Sequence, residues 1–235
     1  MGVRDSGQDR HEVVLTPMRQ AIARRMADSK RSIPHFYESA EIEVGALAAA
    51  LERTNEGRMA RDRVTFTAAL ICALAQSLLA HRALNAVWDG DSLQQVDAVN
   101  IGVAVVVDGG LIAPAILHCE RLTVREAASQ LVDLLDRARA GRVRSAEWTD
   151  ATFTLSNLGM YGVDAFTAIV VPPQVAILAV GRAIERAVVR DGVVTTRRLI
   201  TATVSADHRA VDGVAVAKFL DTLARVIAAP DEWVT

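Results

Sequence analysis

The amino-acid sequence predicts an α+β fold, a two-layer sandwich in which a mixed β-sheet is flanked by helices. Two observations carry this. Helical and strand-like segments intermingle along the chain without the strict β-α-β alternation of a doubly wound sheet. The composition suits an aliphatic sandwich core: 235 residues, 51% hydrophobic and only 4% aromatic, enough for one sizeable domain.

The elements follow in order. Thr16 and Pro17 make a helix start, a threonine N-cap with proline at the first helical position. Met18, Ile22 and Met26 then recur every four residues until Pro34 ends the run. Residues 41–44 alternate as a half-exposed strand, and the alanine-rich 45–55 reads as helix. Residues 65–84 are apolar on nearly every face, which predicts a buried helix. Strands at 103–107 and 111–117 flank the tight turn Asp108-Gly109-Gly110. Thr123 and Glu126 form a capping box for a helix running to about residue 140, where Gly141 stops it. Strand-like runs at 152–155, 175–189 and 193–205 lead to a last helix over 214–228. The polar head, 1–12, reads as a flexible segment before a single domain over 13–235.

Several function classes are disfavoured. A net charge of -2 and a pI near 6.2, with arginines scattered among acids, argue against nucleic-acid binding through phosphate contacts. The head lacks the apolar core of a signal peptide, and the apolar run at 68–80 is interrupted by Gln76 and Ser77 and short for a bilayer. The expectation is a cytoplasmic protein with no membrane partner. Cys72 and Cys119 sit in apolar surroundings and are expected to stay reduced. No Cys-x-x-Cys pair exists, and His11, His81 and His118 lack paired ligand spacing, so no metal site is expected. Gly90-Asp91-Ser92-Leu93 resembles a hydrolase or carrier-serine sequence, but neither context surrounds it and it reads as a turn. No P-loop, Gly-x-Ser-x-Gly elbow or Gly-x-Gly-x-x-Gly is present.

Candidate chemistry gathers at two places. In Asp207-His208-Arg209-Ala210-Val211-Asp212-Gly213 a β-branched run turns toward a helix. His208 can act as a base there, Asp212 can orient the imidazole or the loop that carries it, and Gly213 offers backbone freedom at the transition. Ser156 stands where a strand breaks into the loop Asn157-Leu158-Gly159-Met160-Tyr161-Gly162. Its hydroxyl could cap that loop or donate to a substrate oxygen.

The first stretch resembles the Asp-His-Arg-x-x-Asp-Gly signature of dihydrolipoyl acyltransferases, the core subunits of 2-oxo-acid dehydrogenase complexes, whose catalytic domain is related to chloramphenicol acetyltransferase. Residues 152–162, Phe166-Thr167-Ala168-Ile169 and the run from Pro172 to Gly181 match the same family in the right order. Ala21 to Met26 and Ile33-Pro34-His35-Phe36-Tyr37 match more weakly. The resemblance implies the chloramphenicol acetyltransferase-like fold, acetyl-CoA as co-substrate, and a homotrimer whose active sites lie between subunits. It implies three roles: His208 as general base, Ser156 as oxyanion donor and Asp212 as the residue that holds the histidine loop.

There are departures. The family usually carries Thr-Pro before the 108–110 turn and a basic residue near Leu117, and neither is present. A lipoyl group needs a lysine at a hairpin tip. The only lysines, Lys30 and Lys218, fall in predicted helices, so no lipoyl attachment is expected on this chain. These departures suggest a free-standing CoA-dependent acyltransferase of natural-product biosynthesis that acetylates a small-molecule hydroxyl. The alternatives are the catalytic core of a dihydrolipoyl acyltransferase and an inactive trimeric scaffold.

Overall fold

The computed structural model describes residue 11 and residues 13–234; the head expected over 1–12 lies, apart from His11, outside the described residues. In chain order the elements are α1 (Pro17–Ser32), β1 (His35–Glu43), α2 (Gly45–Thr54), α3 (Phe66–Ala80), β2 (Ala86–Asp89), β3 (Ser92–Gln95), β4 (Ile101–Val103), β5 (Val105–Val107), β6 (Gly110–Ile112) and β7 (Ala115–Ile116). After them come α4 (Val124–Arg139), α5 (Ser145–Thr149), β8 (Phe153–Asn157), β9 (Ala176–Val180), β10 (Ile184–Arg190), β11 (Val193–Asp207) and α6 (Gly213–Ala228).

A seven-stranded sheet in the order β1-β11-β9-β8-β4-β7, with β10 also paired to β11, forms the frame. It is mixed, as expected: β8 runs parallel to β9 and β4, and its remaining pairs are antiparallel. Side chains alternate across a strand. Phe153, Leu155, Leu178, Ala202, Val204 and Ala206 therefore share one face, where they join α2, α3, α4 and α6 in the main core. α3 is the centre of that core, buried on all sides from Ala68 to Ala75. Both cysteines are buried free thiols, and desolvation pushes each pKa up to about 12. The opposite face carries Thr154, Ser156, Thr203, Ser205 and Asp207. Over it lies a small cluster of Ile33, Val170 and Ile177, with Ala168 and Val171 packed against it.

Local signals place the helices. Thr16 accepts from the Arg19 N–H at 3.2 Å with Pro17 inside the first turn, and Thr123 and Glu126 close a reciprocal capping box. The strands differ more from expectation. β1 begins at His35, well before residue 41. The runs expected at 103–107 and 111–117 are each cut in two. Pro114 lacks an N–H for a ladder, and Ala104 donates to the Leu155 carbonyl at 3.0 Å. The inner halves, β5 and β6, thus peel off as a separate hairpin while β4 and β7 stay in the main sheet. The run at 175–189 is likewise divided into β9 and β10. Gly90-Asp91 is the turn of the β2–β3 hairpin.

Candidate active site

Ser156 is the penultimate residue of β8, on the face away from the main core, and stays 8% exposed. The loop behind it is capped by its neighbour. Asn157 accepts from the Gly159 N–H at 2.9 Å and donates to the Thr67 hydroxyl at 3.1 Å. The Ser156 hydroxyl has no hydrogen-bond partner among the described residues. Ser156 lines two cavities: one of about 470 Å³, lined also by Thr154, Gln174 and Arg19, and one of about 330 Å³, lined also by Thr67, Arg139 and Tyr161. Of the two uses open to this serine, loop capping belongs to Asn157. A free O–H on a residue that lines a cavity can meet a developing oxyanion.

His208 occupies the turn after β11. Its N–H donates to the Pro34 carbonyl at 3.1 Å, and its ring lies against Phe36 with centroids 4.8 Å apart. The residue is exposed, and its imidazole makes no hydrogen bond within the described chain. Both flanking side chains, by contrast, are tied down. Asp207, with 0% exposure, accepts from the Arg209 guanidinium through both oxygens, at 3.0 Å from Nε and 2.6 Å from Nη2. These bonds raise the Arg209 pKa above its ordinary value.

Asp212 does not touch the imidazole. It is the N-cap of α6, accepting from the Ala215 N–H at 2.9 Å, so of its two expected roles only the anchoring of the loop has a contact behind it. An Asp before a helical run is an N-cap signal in its own right, and could have been read as one. Gly213 is also corrected. A Cβ there would come within 2.5 Å of a Glu38 carboxylate oxygen, so the glycine makes room for Glu38 rather than supplying an unusual backbone conformation. Since Asn caps as well as Asp, Asp212→Asn should leave the melting temperature nearly unchanged and lower kcat far less than His208→Ala. Asp212→Ala should lose about 1 kcal/mol of stability. An Asp212→Asn loss in kcat equal to that of His208→Ala would instead assign the carboxylate a direct electrostatic part.

Other histidines have structural work. His35 has Nδ1 2.9 Å from the Ile33 carbonyl and Nε2 accepting from the Val170 N–H at 3.1 Å. His81 bonds the Thr222 hydroxyl, and burial lowers its pKa. His118 faces Glu120 at 3.4 Å. Sequence reasoning missed Ser205, whose buried hydroxyl is unpartnered, and the Thr154–Gln174 pair at 2.6 Å that floors the larger cavity. Both lysines lie in helices, Lys30 in α1 and Lys218 in α6.

Within one chain the two principal residues are far apart. Ser156, Ala179 and Thr203 lie in one row across β8, β9 and β11. From Thr203 to His208 the chain advances about 17 Å and two strand spacings add about 10 Å sideways, so roughly 20 Å separates the two positions. Acid-base catalysis needs heavy atoms about 3 Å apart.

Residues 7–235 match the family described as 2-oxoacid dehydrogenases acyltransferase (catalytic domain). The chain belongs to this family. The acetyltransferase component of the pyruvate dehydrogenase complex of Zymomonas mobilis subsp. mobilis is 34% identical over 221 residues, covering 94% of this chain and 50% of that protein. Thus the chain spans about half the length of the curated relatives it matches. Among solved structures, the cubic core of a pyruvate dehydrogenase multienzyme complex superposes with a TM-score of 0.90 at 27% identity, covering 99% of this chain and 97% of that one. The dihydrolipoamide acetyltransferase of Azotobacter vinelandii gives 0.89 at 27% identity, with 95% and 93% covered. A chloramphenicol acetyltransferase, at 12% identity and a TM-score of 0.55, shares the fold. The family to which the chain belongs is the one its sequence motifs resemble.

Proposed function

We propose that this chain is the catalytic domain of a dihydrolipoyl acyltransferase, moving an acyl group between the thiols of CoA and dihydrolipoamide. The small-alcohol acceptor suggested by the 106–117 departures gives way to this alternative. The relatives matching over nine-tenths of the chain are acetyltransferase components of pyruvate dehydrogenase complexes, and no feature of the cavities selects an alcohol over a thiol. The observation that carries the reading is Ser156, whose hydroxyl has no partner among the described residues and which lines two cavities, so that two substrates have separate approaches to this residue.

In this reading the imidazole of His208 takes the proton from the incoming thiol as its sulfur attacks the thioester carbonyl. The Ser156 O–H donates to the oxygen that becomes negative in the tetrahedral intermediate. When the intermediate collapses, the carbon–sulfur bond to the departing thiol breaks and that sulfur receives the proton from the imidazolium. Ser156 forms no covalent intermediate. Asp212 keeps α6 and the histidine turn in register. Supporting these roles, the Azotobacter vinelandii structure concerns a serine, a histidine and an asparagine in the catalytic mechanism, spaced along that chain as Ser156, His208 and Asp212 are spaced in this one.

The roughly 20 Å between Ser156 and His208 in one chain supports a site shared between copies, and we take a homotrimer as the working unit. Mixing His208→Ala with Ser156→Ala protein under subunit exchange tests this. Each variant alone should be nearly inactive, whereas about one interface in four regains an intact pair in an equal mixture. Activity near a quarter of wild type, with dihydrolipoamide preferred to simple alcohols as acetyl acceptor, is the expected result. A mixture no more active than its parents, with exchange verified by mass, would place both residues in one chain's site. Preference for an alcohol would restore the small-molecule acceptor.

A further inference from the structure

His208 poses a positioning problem. The residue is exposed and its imidazole makes no hydrogen bond among the described residues, so none of them holds the ring by a polar contact. Apart from the Phe36 ring against it, what holds it acts through the backbone on either side. On the N-terminal side Asp207 is buried, with its N–H donated to the Val175 carbonyl at 2.9 Å. On the C-terminal side Arg209 grips Asp207 through its guanidinium and also donates its backbone N–H to Asp207 Oδ1 at 3.0 Å, which closes the turn around His208.

The guanidinium has a second contact. Its central carbon lies 4.5 Å from the centroid of the Trp88 ring, in the β2–β3 hairpin. Trp88 is itself tethered: its backbone N–H donates to the Pro173 carbonyl at 2.7 Å and its indole N–H to the Gly90 carbonyl at 2.5 Å. Val87 bridges Gln174 beside it. An aromatic face attracts a planar cation and favours a stacked guanidinium over a point-like ammonium. The hairpin thus presses a rigid plate against the one side chain that pins both ends of the His208 turn. Since Arg209 remains 35% exposed, the carboxylate alone leaves its outer side unsupported.

We propose that Trp88 is a positioning residue for His208, acting through the guanidinium of Arg209. The kinetic consequence rests on the acyl-transfer reading above; the structural consequence does not. Loss of the plate should let the turn relax, and a misplacement of about 1 Å at a reacting group can cost on the order of 10²-fold in rate without loss of binding.

The test uses the full chain with Trp88→Leu, Trp88→Phe, Arg209→Lys and Arg209→Ala. Trp88→Leu is expected to lower kcat by about 10- to 100-fold while KM for both thiols stays within about twofold. Trp88→Phe, which keeps a ring, should recover most of the rate. Arg209→Lys keeps the charge on Asp207 but loses the flat face, and should resemble Trp88→Leu, so the contact is tested even if the tryptophan variant folds poorly. Trp88→Leu added to Arg209→Ala should cost nothing further if the tryptophan acts through the arginine. In parallel, the carbon-13 imidazole signal of His208, assigned by its loss in His208→Ala, should shift and broaden in Trp88→Leu. Folded Trp88→Leu and Arg209→Lys proteins with wild-type kcat and an unchanged His208 signal would overturn the proposal, as would multiplicative losses in the double variant. If His208→Ala were active, the acyl-transfer reading would fall, and the imidazole signal would still decide whether Trp88 positions the ring.

Discussion

His208→Ala is expected to lower kcat by about 10²–10⁴-fold, the contribution of a positioned general base, while the protein folds as before. The second half of that expectation comes from the contacts. The residue is exposed, its imidazole makes no hydrogen bond among the described residues, and its ring lies 4.8 Å from that of Phe36, so truncation costs one partial aromatic contact. Asp207, Arg209 and the backbone bonds of the turn do not depend on the imidazole. Thermal unfolding should therefore show a transition close to wild type, and KM for the acyl donor should change little, since the lost group acts on a proton rather than on binding. Because the ring is open to solvent, added imidazole should restore part of the rate. A correctly folded His208→Ala protein with full activity would remove the base from the mechanism.

How much of this was legible in the sequence depends on how local the signal is. The Thr16-Pro17 start, the Thr123–Glu126 box and the amphipathic last helix are encoded within a turn or two, and the structure keeps all three. β1 was legible only over its last residues because Glu38 breaks the apolar alternation. It lies on the core-side face of the strand yet stays half-buried at the start of α6, where Gly213 leaves it space. The breaks at Ala104 and Pro114 depend on which neighbour each half-strand meets, Leu155 in one case and the facing hairpin in the other, and no window of ten residues contains that information. At the site, Ser156 and His208 were marked by motif. Two features stayed hidden: that Asn157 caps the loop in place of the serine, and that Trp88 reaches Arg209. Each is a tertiary contact or a choice between two adjacent residues of similar chemistry.

Ser156→Ala is expected to lower kcat by about 10²–10³-fold, or about 2.7–4 kcal/mol of transition-state stabilisation, by analogy with removal of a single oxyanion donor. Its adjacent residue supplies the control. Because the Ser156 hydroxyl has no partner among the described residues, its removal leaves none of their buried groups unsatisfied and should hardly move the melting temperature. Asn157 is the reverse case: its side chain closes the loop through Gly159 and reaches α3 through Thr67, so Asn157→Ala should cost about 1–3 kcal/mol of stability. Two neighbouring substitutions should thus separate cleanly, one read in turnover and the other in thermal unfolding. The loss for Ser156→Ala should also appear in kcat rather than KM, since the oxygen it serves becomes negative only as the thiol attacks. If Ser156→Ala instead lowered the melting temperature and left kcat intact, the hydroxyl would belong to the loop after all, and the oxyanion would need another donor among the groups facing the two cavities.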